Sequence, residues 1–165
     1  MTTEHHHTHV YILAITRITM GLIFLWAFLD KTFGLGFATE ASKAWIAGGS
    51  PTAGFLQYAT SGPFAALFQS LAGSAIVDWL FMLGLLGIGV ACILGIALRC
   101  AGYCGAVLML LMWLAVLPPE NNPLLDKHIV YALLFLVIAY MPEHYFALQE
   151  RWKHTVCVQK FPFLQ

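Results

Sequence analysis

The chain has 165 residues, with eight Lys and Arg against eight Asp and Glu, so its formal net charge is zero. Hydrophobic residues make up 60% of the sequence and charged residues only 10%, whereas an ordinary soluble domain is about a quarter charged. A soluble domain of this length cannot hide so much apolar surface, which excludes ordinary soluble enzymes. We therefore expect residues 1–165 to form one integral membrane domain in contact with the lipid bilayer, with no nucleic acid bound.

Four segments are apolar enough to cross a bilayer as helices, which takes roughly 20 residues each. They cover residues 11–30, 77–98, 101–117 and 123–141. The first is too long for the apolar part of a cleaved signal peptide, so we interpret it as a signal anchor. The predicted fold is all-α, a polytopic membrane four-helix bundle.

The charges of the connecting segments predict the orientation, because Lys and Arg collect on the cytoplasmic side of a membrane. With four spans, both termini and the 99–100 turn share one side. That side has more cations than acids: Arg17, Arg99, Arg151, Lys153 and Lys160 against Glu4, Glu143 and Glu150. The other side has more acids: Asp30, Glu40, Asp78, Glu120 and Asp126 against Lys31, Lys43 and Lys127. We expect a multi-pass cell-membrane protein with both termini in the cytoplasm.

The first predicted span contains Arg17, about six residues or 9 Å inside the helix. Its side chain either snorkels back to the cytoplasmic interface or lies buried and faces the bundle. A buried guanidinium would bind a carboxylate, a carbonyl or the head group of a ligand. We favour burial because Gly21 and two aromatic residues share the face of Arg17, and because charges inside a membrane are usually functional.

The longest connection covers residues 32–74 and is interrupted by Gly-Gly-Ser-Pro and Ser-Gly-Pro, so it is not a span. Near its end, apolar residues recur at helical spacing: Phe64, Leu67, Phe68 and Leu71. This spacing predicts a short amphipathic helix that starts after Ser61 and ends at Gly73. Loops of this length in small domains are usually functional. We expect an extracytoplasmic lid over the bundle.

Polar residues mark the starts of two further spans. Asp78 lies in the first turn of the second span, where the helix dipole favours an acid. Asn122 is predicted as the N-cap of the fourth span, with Pro123 at its first helical position. Beyond residue 141, the stretch "PEHYFALQERWKH" mixes aromatic and charged residues. It predicts a C-terminal interfacial amphipathic helix on the cytoplasmic surface.

Five polar residues fall near the extracytoplasmic ends of the predicted spans: Asp30, Lys31, Asp78, Asp126 and His128. They are either ordinary helix-end residues or a cluster for proton exchange or anion capture. His128 is the best-placed proton carrier, because the unperturbed pKa of histidine is about 6.5. Asp126 and His128 are therefore the catalytic candidates. The candidates for binding quinone or an anion are Arg17, Lys31, Asp78 and Asn122.

Two groups of possible metal ligands lack a fixed site. The His5–His9 run suits a transition metal, but we expect it to lie on a flexible, solvated tail. Cys100 and Cys104 are one helical turn apart without a second pair, so we interpret them as packing residues. His128 is the only histidine near a span, which leaves haem without a pair of axial ligands. We expect no haem, flavin or metal on this chain, and no structural disulfide.

Five stretches resemble the DoxX/DoxD family: "RITMGLIFLWAFLDKTFG", "WIAGGSPTAGFL", "SGPFAALF", "DWLFMLGLLGIGVACILGIALR" and "NPLLDKHIVYALL". The likeness covers about residues 11–141 and points to the DoxD-like small subunit of thiosulfate:quinone oxidoreductase. It implies a four-helix membrane protein that acts with a partner subunit. In the thiosulfate enzymes the family oxidises thiosulfate towards tetrathionate and passes electrons to membrane quinone. The family has no agreed catalytic set, but the resembling stretches contain Arg17, Lys31, Asp78, Asn122, Asp126 and His128.

Three functions fit the sequence. The favoured one is a subunit of a redox complex, of the thiosulfate:quinone oxidoreductase type, with a second redox subunit as partner and quinone as the diffusible electron acceptor. The second is a small anion or proton transporter, although the sequence shows neither the internal repeats nor the broken helices typical of transporters. The third is a non-catalytic assembly factor for a membrane enzyme. A homo-oligomer is compatible with each.

Overall fold

The computed structural model describes residues 3–120, 122–141 and 145–161, and within them the chain is helical without a strand. This confirms the all-α prediction. The α-helices in chain order are α1 (Thr3–Phe33), α2 (Ala65–Ser70), α3 (Ala75–Leu94), α4 (Leu98–Ala115), α5 (Lys127–Tyr140), α6 (Gln149–Lys153) and α7 (Val156–Lys160).

Three helices are long and apolar enough to cross a membrane. They are the Thr8–Phe33 part of α1, with a mean hydropathy of 2.1, α3 with 2.2, and α4 with 1.7. At about 1.5 Å per residue, even the 18 residues of α4 extend over most of an apolar bilayer core. These helices indicate a membrane-embedded protein.

The fourth apolar helix, α5, is shorter than the predicted segment 123–141. It has 14 residues, about 21 Å of helix against a bilayer core of about 30 Å. The prediction that Asn122 is its N-cap and Pro123 its first residue is wrong. Asp126 is the N-cap, and its carboxylate accepts a hydrogen bond from the backbone N–H of His128 at 2.9 Å.

The second predicted span, 77–98, is wrong at its end because α3 stops at Leu94. Gly95 follows in a left-handed conformation with φ of 67°, and its N–H binds the carbonyl of Ala91. This is the usual glycine cap of a helix C-terminus. Ala97 is also left-handed, with φ of 48°, so α4 starts at Leu98, earlier than predicted.

The N-terminal segment differs from its prediction as well. The backbone of the His5–His9 run is helical and belongs to the first turns of α1, instead of a flexible tail. Residues 1–2 lie outside the described part of the chain.

The long helices pack in antiparallel pairs through small residues. A Cβ placed on Gly21 of α1 would lie 2.8 Å from the carbonyl oxygen of Gly89 in α3, so these two backbones touch. In α4, Gly102 and Gly105 receive α5 in the same way, with a Cβ on Gly105 meeting the ring of Phe135 at 2.7 Å. Small residues allow such close approach between membrane helices.

A shared apolar core joins the two pairs. Phe24 of α1 meets Phe135 of α5 edge to face, with ring centroids 5.0 Å apart. Buried residues of α3 and α4, such as Met82 and Met109, belong to the same core. The contact between α3 and α4 is much less extensive than the contacts within the pairs, and this leaves a groove between them.

The segment between α1 and α3, called loop 34–74 here, lies at one end of the helices. It contains short 3₁₀ turns, one π-helical turn (Phe55–Ala59) and α2. The predicted amphipathic helix is shorter than expected, because α2 ends at Ser70, ahead of Gly73. The N–H of Ser61 binds the carbonyl of Ala115 at 2.9 Å, which attaches the loop to the end of α4. We call this end of the molecule the loop end.

The opposite end, called the tail end, carries residues 145–161. The predicted interfacial helix is divided into α6 and α7, of five residues each, and the Pro142–His144 part of the prediction lies outside the described residues. The N–H of Leu148 binds the carbonyl of Leu94 at 2.9 Å. The tail is therefore held against the end of α3.

Candidate ligand groove

An apolar groove of about 700 Å³ lies between α3 and α4, covered at the loop end by part of loop 34–74. This volume is within the usual range for sites that bind small organic molecules. Its walls come from α1, the loop, α3 and α4: Lys31, Pro51, Thr52, Phe55, Leu56, Phe68, Leu71, Val77, Leu80, Phe81, Gly84, Ile88, Tyr103, Cys104, Val107, Leu108, Leu111, Met112 and Ala115.

The groove is elongated along the helices. It extends from Val77 to Ile88 on α3 and from Ala115 to Tyr103 on α4, which corresponds to about 17 Å at 1.5 Å per residue. Leu80 and Val107 line it and are 67% and 55% exposed, so the groove is open along its length. An apolar chain can therefore enter the groove sideways from the bilayer.

Lys31 is the one charged side chain among the described residues that line the groove. Its Nζ donates a hydrogen bond to the carbonyl of Pro51 at 3.0 Å and lies 5.8 Å from the centre of the Phe81 ring. An ammonium group has three protons to donate, and the bond to Pro51 uses one of them. Two donors remain at the loop end of the groove.

Asp78 lies behind the wall of the groove and is only 6% exposed. Its Oδ1 accepts hydrogen bonds from Ser50 Oγ at 2.9 Å, Thr52 N at 3.2 Å and Thr52 Oγ1 at 2.5 Å. The predicted first-turn acid is therefore also the anchor of the Ser50–Thr52 segment. Together, Asp78 and Lys31 position the part of the loop that covers the groove.

Asp30 anchors an earlier part of the loop. It is 2% exposed, and its carboxylate accepts hydrogen bonds from the backbone N–H groups of Phe37 at 3.2 Å and Ala38 at 3.0 Å. Asp30 does not line the groove.

The structure does not bring Asp126 and His128 to the other charged residues of the predicted cluster. His128 Nδ1 lies 2.5 Å from Asp126 Oδ2, and His128 is buried. Among the described residues, no hydrogen bond or ion pair joins this pair to Asp30, Lys31 or Asp78. Of the two alternatives for these five residues, the contacts of Asp126 and His128 favour ordinary helix-end residues, because α5 packs mainly on α4.

Asn122 also lies away from the groove. Its Oδ1 accepts hydrogen bonds from the N–H groups of Leu124 and Leu125, both at 2.9 Å. It shapes the turn that precedes α5, and it does not line the groove.

Arg17 is at the tail end and is fully buried, with no exposed surface. Its Nη1 donates to the carbonyl of Cys92 at 2.6 Å, and its Nη2 donates to those of Tyr145 and Phe146, each at 3.0 Å. The snorkelling alternative is thereby excluded. The carbonyl of Cys92 is in the last turn of α3, where helix carbonyls lack partners and the helix dipole favours a cation. Arg17 binds backbone and does not line the groove.

Several groove residues were not identified from the sequence. Ser50 and Thr52 lie in or beside the Gly-Gly-Ser-Pro stretch, which the sequence indicates only as an interruption of the loop. A buried acid such as Asp78 requires nearby hydrogen-bond donors, and these two residues provide them. Tyr103 and Cys104 line the groove at its tail-end side, where the Tyr103 hydroxyl bonds that of Tyr140 at 2.6 Å. Tyr103, Val107 and Leu111 recur at four-residue intervals along α4 and so share one helix face. This spacing was the sequence signal that could have identified the wall.

Comparisons with protein-family models, with curated proteins and with solved structures give no match to this chain. The resemblance to the DoxX/DoxD family therefore remains a prediction from the five stretches of sequence. Function has to be inferred from the groove and its charged end.

Proposed function

We propose that this chain is an integral membrane subunit of a redox complex and holds membrane quinone in the groove between α3 and α4. The observation that carries the proposal is an apolar groove about 17 Å long with the single ammonium group of Lys31 at its loop end. A quinone has an apolar tail and a ring with two carbonyl oxygens that need donors. Lys31 provides such donors where the apolar walls end.

In this proposal the chain crosses the membrane four times as a bundle of α1, α3, α4 and α5. Loop 34–74 is the extracytoplasmic lid, both termini are cytoplasmic, and the tail helices lie in the interface. The shared core of all four helices supports this arrangement. The short α5 requires its flanking residues or a locally thinner bilayer to complete the crossing, as short spans commonly do.

The electron carriers belong to a partner subunit in this proposal. Quinone is the diffusible acceptor, and this chain contributes its binding site. A sulfur compound such as thiosulfate as the electron donor follows from the resemblance alone.

Cys104 provides the test, because its exposed thiol lines the groove. In a Cys100→Ala, Cys157→Ala variant, Cys104 is the accessible thiol, since Cys92 is fully buried. We expect decylubiquinone to slow the alkylation of Cys104 by N-ethylmaleimide in purified protein in lipid nanodiscs. An alkane of equal chain length is the control for the quinone ring.

Lys31→Met should weaken this protection roughly ten- to hundredfold, since a hydrogen bond to a charged donor contributes about 1.5–3 kcal/mol. Lys43→Met is the matched control, because Lys43 is an exposed lysine of the loop that pairs with Glu40 at 3.1 Å. Equal protection by the alkane, or no protection by decylubiquinone, would contradict the proposal.

A further inference from the structure

The hydrogen bonds of Asp78 connect the groove to the surface of the loop. One carboxylate oxygen, Oδ1, accepts bonds from the hydroxyls of both Ser50 and Thr52. Within the described part of the chain, Oδ2 receives no hydrogen bond. The two hydroxyls thus share one carboxylate oxygen, and a proton bound to Oδ1 can pass to either of them.

The two hydroxyls differ in their access to the groove and to the surface. Thr52 is 5% exposed and forms part of the groove wall. Ser50 is half-buried, does not line the groove, and continues into the exposed turn at Gly48. Since a hydroxyl both donates and accepts, it can pass a proton from one neighbour to the next.

We infer that Ser50, Asp78 and Thr52 form a proton relay between water at the loop end and quinone in the groove. This inference rests on the proposed function. Lys31 is the charged group on α1 that interacts electrostatically with Asp78, and it holds the quinone carbonyl while the relay supplies the proton. The carboxylate of Asp30 is occupied by the N–H groups of Phe37 and Ala38.

The chemistry balances as the reduction of one quinone by two electrons and two protons. A reduced redox group of the partner subunit donates one electron, which gives the anionic semiquinone. Protonated Asp78 gives its proton to the Thr52 oxygen as the Thr52 hydroxyl proton moves to the semiquinone oxygen. Asp78 then regains a proton from water through Ser50, and a second electron and proton complete the quinol.

Protonation can be measured without the partner subunit. Purified protein in nanodiscs, loaded with decylubiquinone, receives an electron from flash-photoreduced deazaflavin, and the absorbance of the anionic semiquinone reports its protonation. Asp78→Asn keeps an acceptor oxygen for Ser50 and Thr52 but cannot carry the proton. Thr52→Val removes the hydroxyl and retains the shape of the side chain.

We expect both variants to slow protonation roughly 100-fold, the lower end of what a positioned acid or base contributes. Thr52→Ser should restore the rate. Glu40→Gln is the matched control, because Glu40 is a carboxylate of the same loop that pairs with Lys43 at 3.1 Å and lies outside the relay, and it should leave the rate unchanged. Slowing in Glu40→Gln, or failure of Thr52→Ser to restore the rate, would overturn the inference.

Alkylation of Cys104 in the same variants separates the two proposals. If decylubiquinone protects Cys104 normally in Asp78→Asn and the rate of semiquinone protonation is unchanged, the relay is overturned while the quinone site remains supported. Absence of protection in the unmodified groove would overturn both.

Discussion

The two ends of α1 carry cations in different surroundings. At the tail end, the guanidinium of Arg17 is fully buried, and both of its terminal nitrogens bind backbone carbonyls. At the loop end, the ammonium of Lys31 is only half-buried, gives one bond to Pro51 and borders an open groove. A fully buried charge held by three backbone carbonyls stabilises the fold, whereas a charge that borders an open groove with two unused donors is available to a ligand.

Arg17→Met should have the largest effect on stability. It leaves three carbonyls without donors in a buried site, at a cost of roughly 4 kcal/mol or more in the free energy of unfolding. Thermal unfolding in detergent and proteolysis of residues 145–161 would both report the loss. Arg99→Met is the control, since Arg99 is exposed at the same end. An unchanged unfolding temperature and an equally protected tail would remove the contrast between the two ends.

Glycines with positive φ permit a direct comparison of the ends. Gly95→Ala at the tail end places a Cβ 2.5 Å from Arg17 Nη1, whereas Gly48→Ala at the loop end meets no atom within 4 Å. Both substitutions strain a left-handed backbone by about 1–2 kcal/mol. Gly95→Ala adds the cost of overpacking, about 1–3 kcal/mol. We expect Gly95→Ala to lower the free energy of unfolding by roughly 3 kcal/mol. Equal losses in the two variants would contradict the tight packing of Gly95 against Arg17.

Asp78→Ala should release the loop end without affecting the tail end. It removes an acceptor of three hydrogen bonds, for which we expect a loss of about 2 kcal/mol. Amide hydrogen exchange should increase in residues 50–56 and stay unchanged in residues 145–148. Increased exchange in both regions would show that the loop end and the tail end unfold together, which would contradict their independence.

The smallest effect concerns pH at the surface of the tail. Lys153 donates a hydrogen bond to Glu150 at 2.8 Å and thereby lowers the pKa of that carboxyl. A lowered pKa in the folded state stabilises the fold above the ordinary pKa of glutamate, and this contribution disappears as the pH falls through the lowered value. Because the pair is exposed, unfolding should barely respond to Glu150→Gln. A carbon NMR titration of Glu150 should show its pKa rising in Lys153→Met, with Lys43→Met as the control.

Much of the fold could be predicted from local properties of the sequence. The membrane helices α1, α3 and α4 follow from long apolar runs, since hydropathy sums over neighbouring residues. The errors lie at helix ends, where single residues decide. Gly95 ends α3 ahead of the predicted end, and Asp126 instead of Asn122 caps α5.

The candidate site was predicted in part. Lys31 and Asp78 were identified because charges near apolar segments are conspicuous, and both lie at the groove or directly behind its wall. The sequence also favoured burial of Arg17 over snorkelling, and Arg17 is buried, but the sequence could not choose the groups that the guanidinium binds. That choice depends on the carbonyls of Tyr145 and Phe146, which are far from Arg17 in sequence and reach it only when the tail folds back.

Composition and hydropathy were sufficient to identify a helical protein embedded in a membrane, because the cost of placing an apolar run in water depends on that run alone. The partners of each buried charge were decided by the tertiary structure. A hydrogen bond acts over about 3 Å, so its partner is whichever group the packing of helices brings to that distance. Packing thus brought Arg17 to backbone carbonyls, left Asp126 and His128 as partners of each other, and placed Lys31, with its unused donors, beside an open groove.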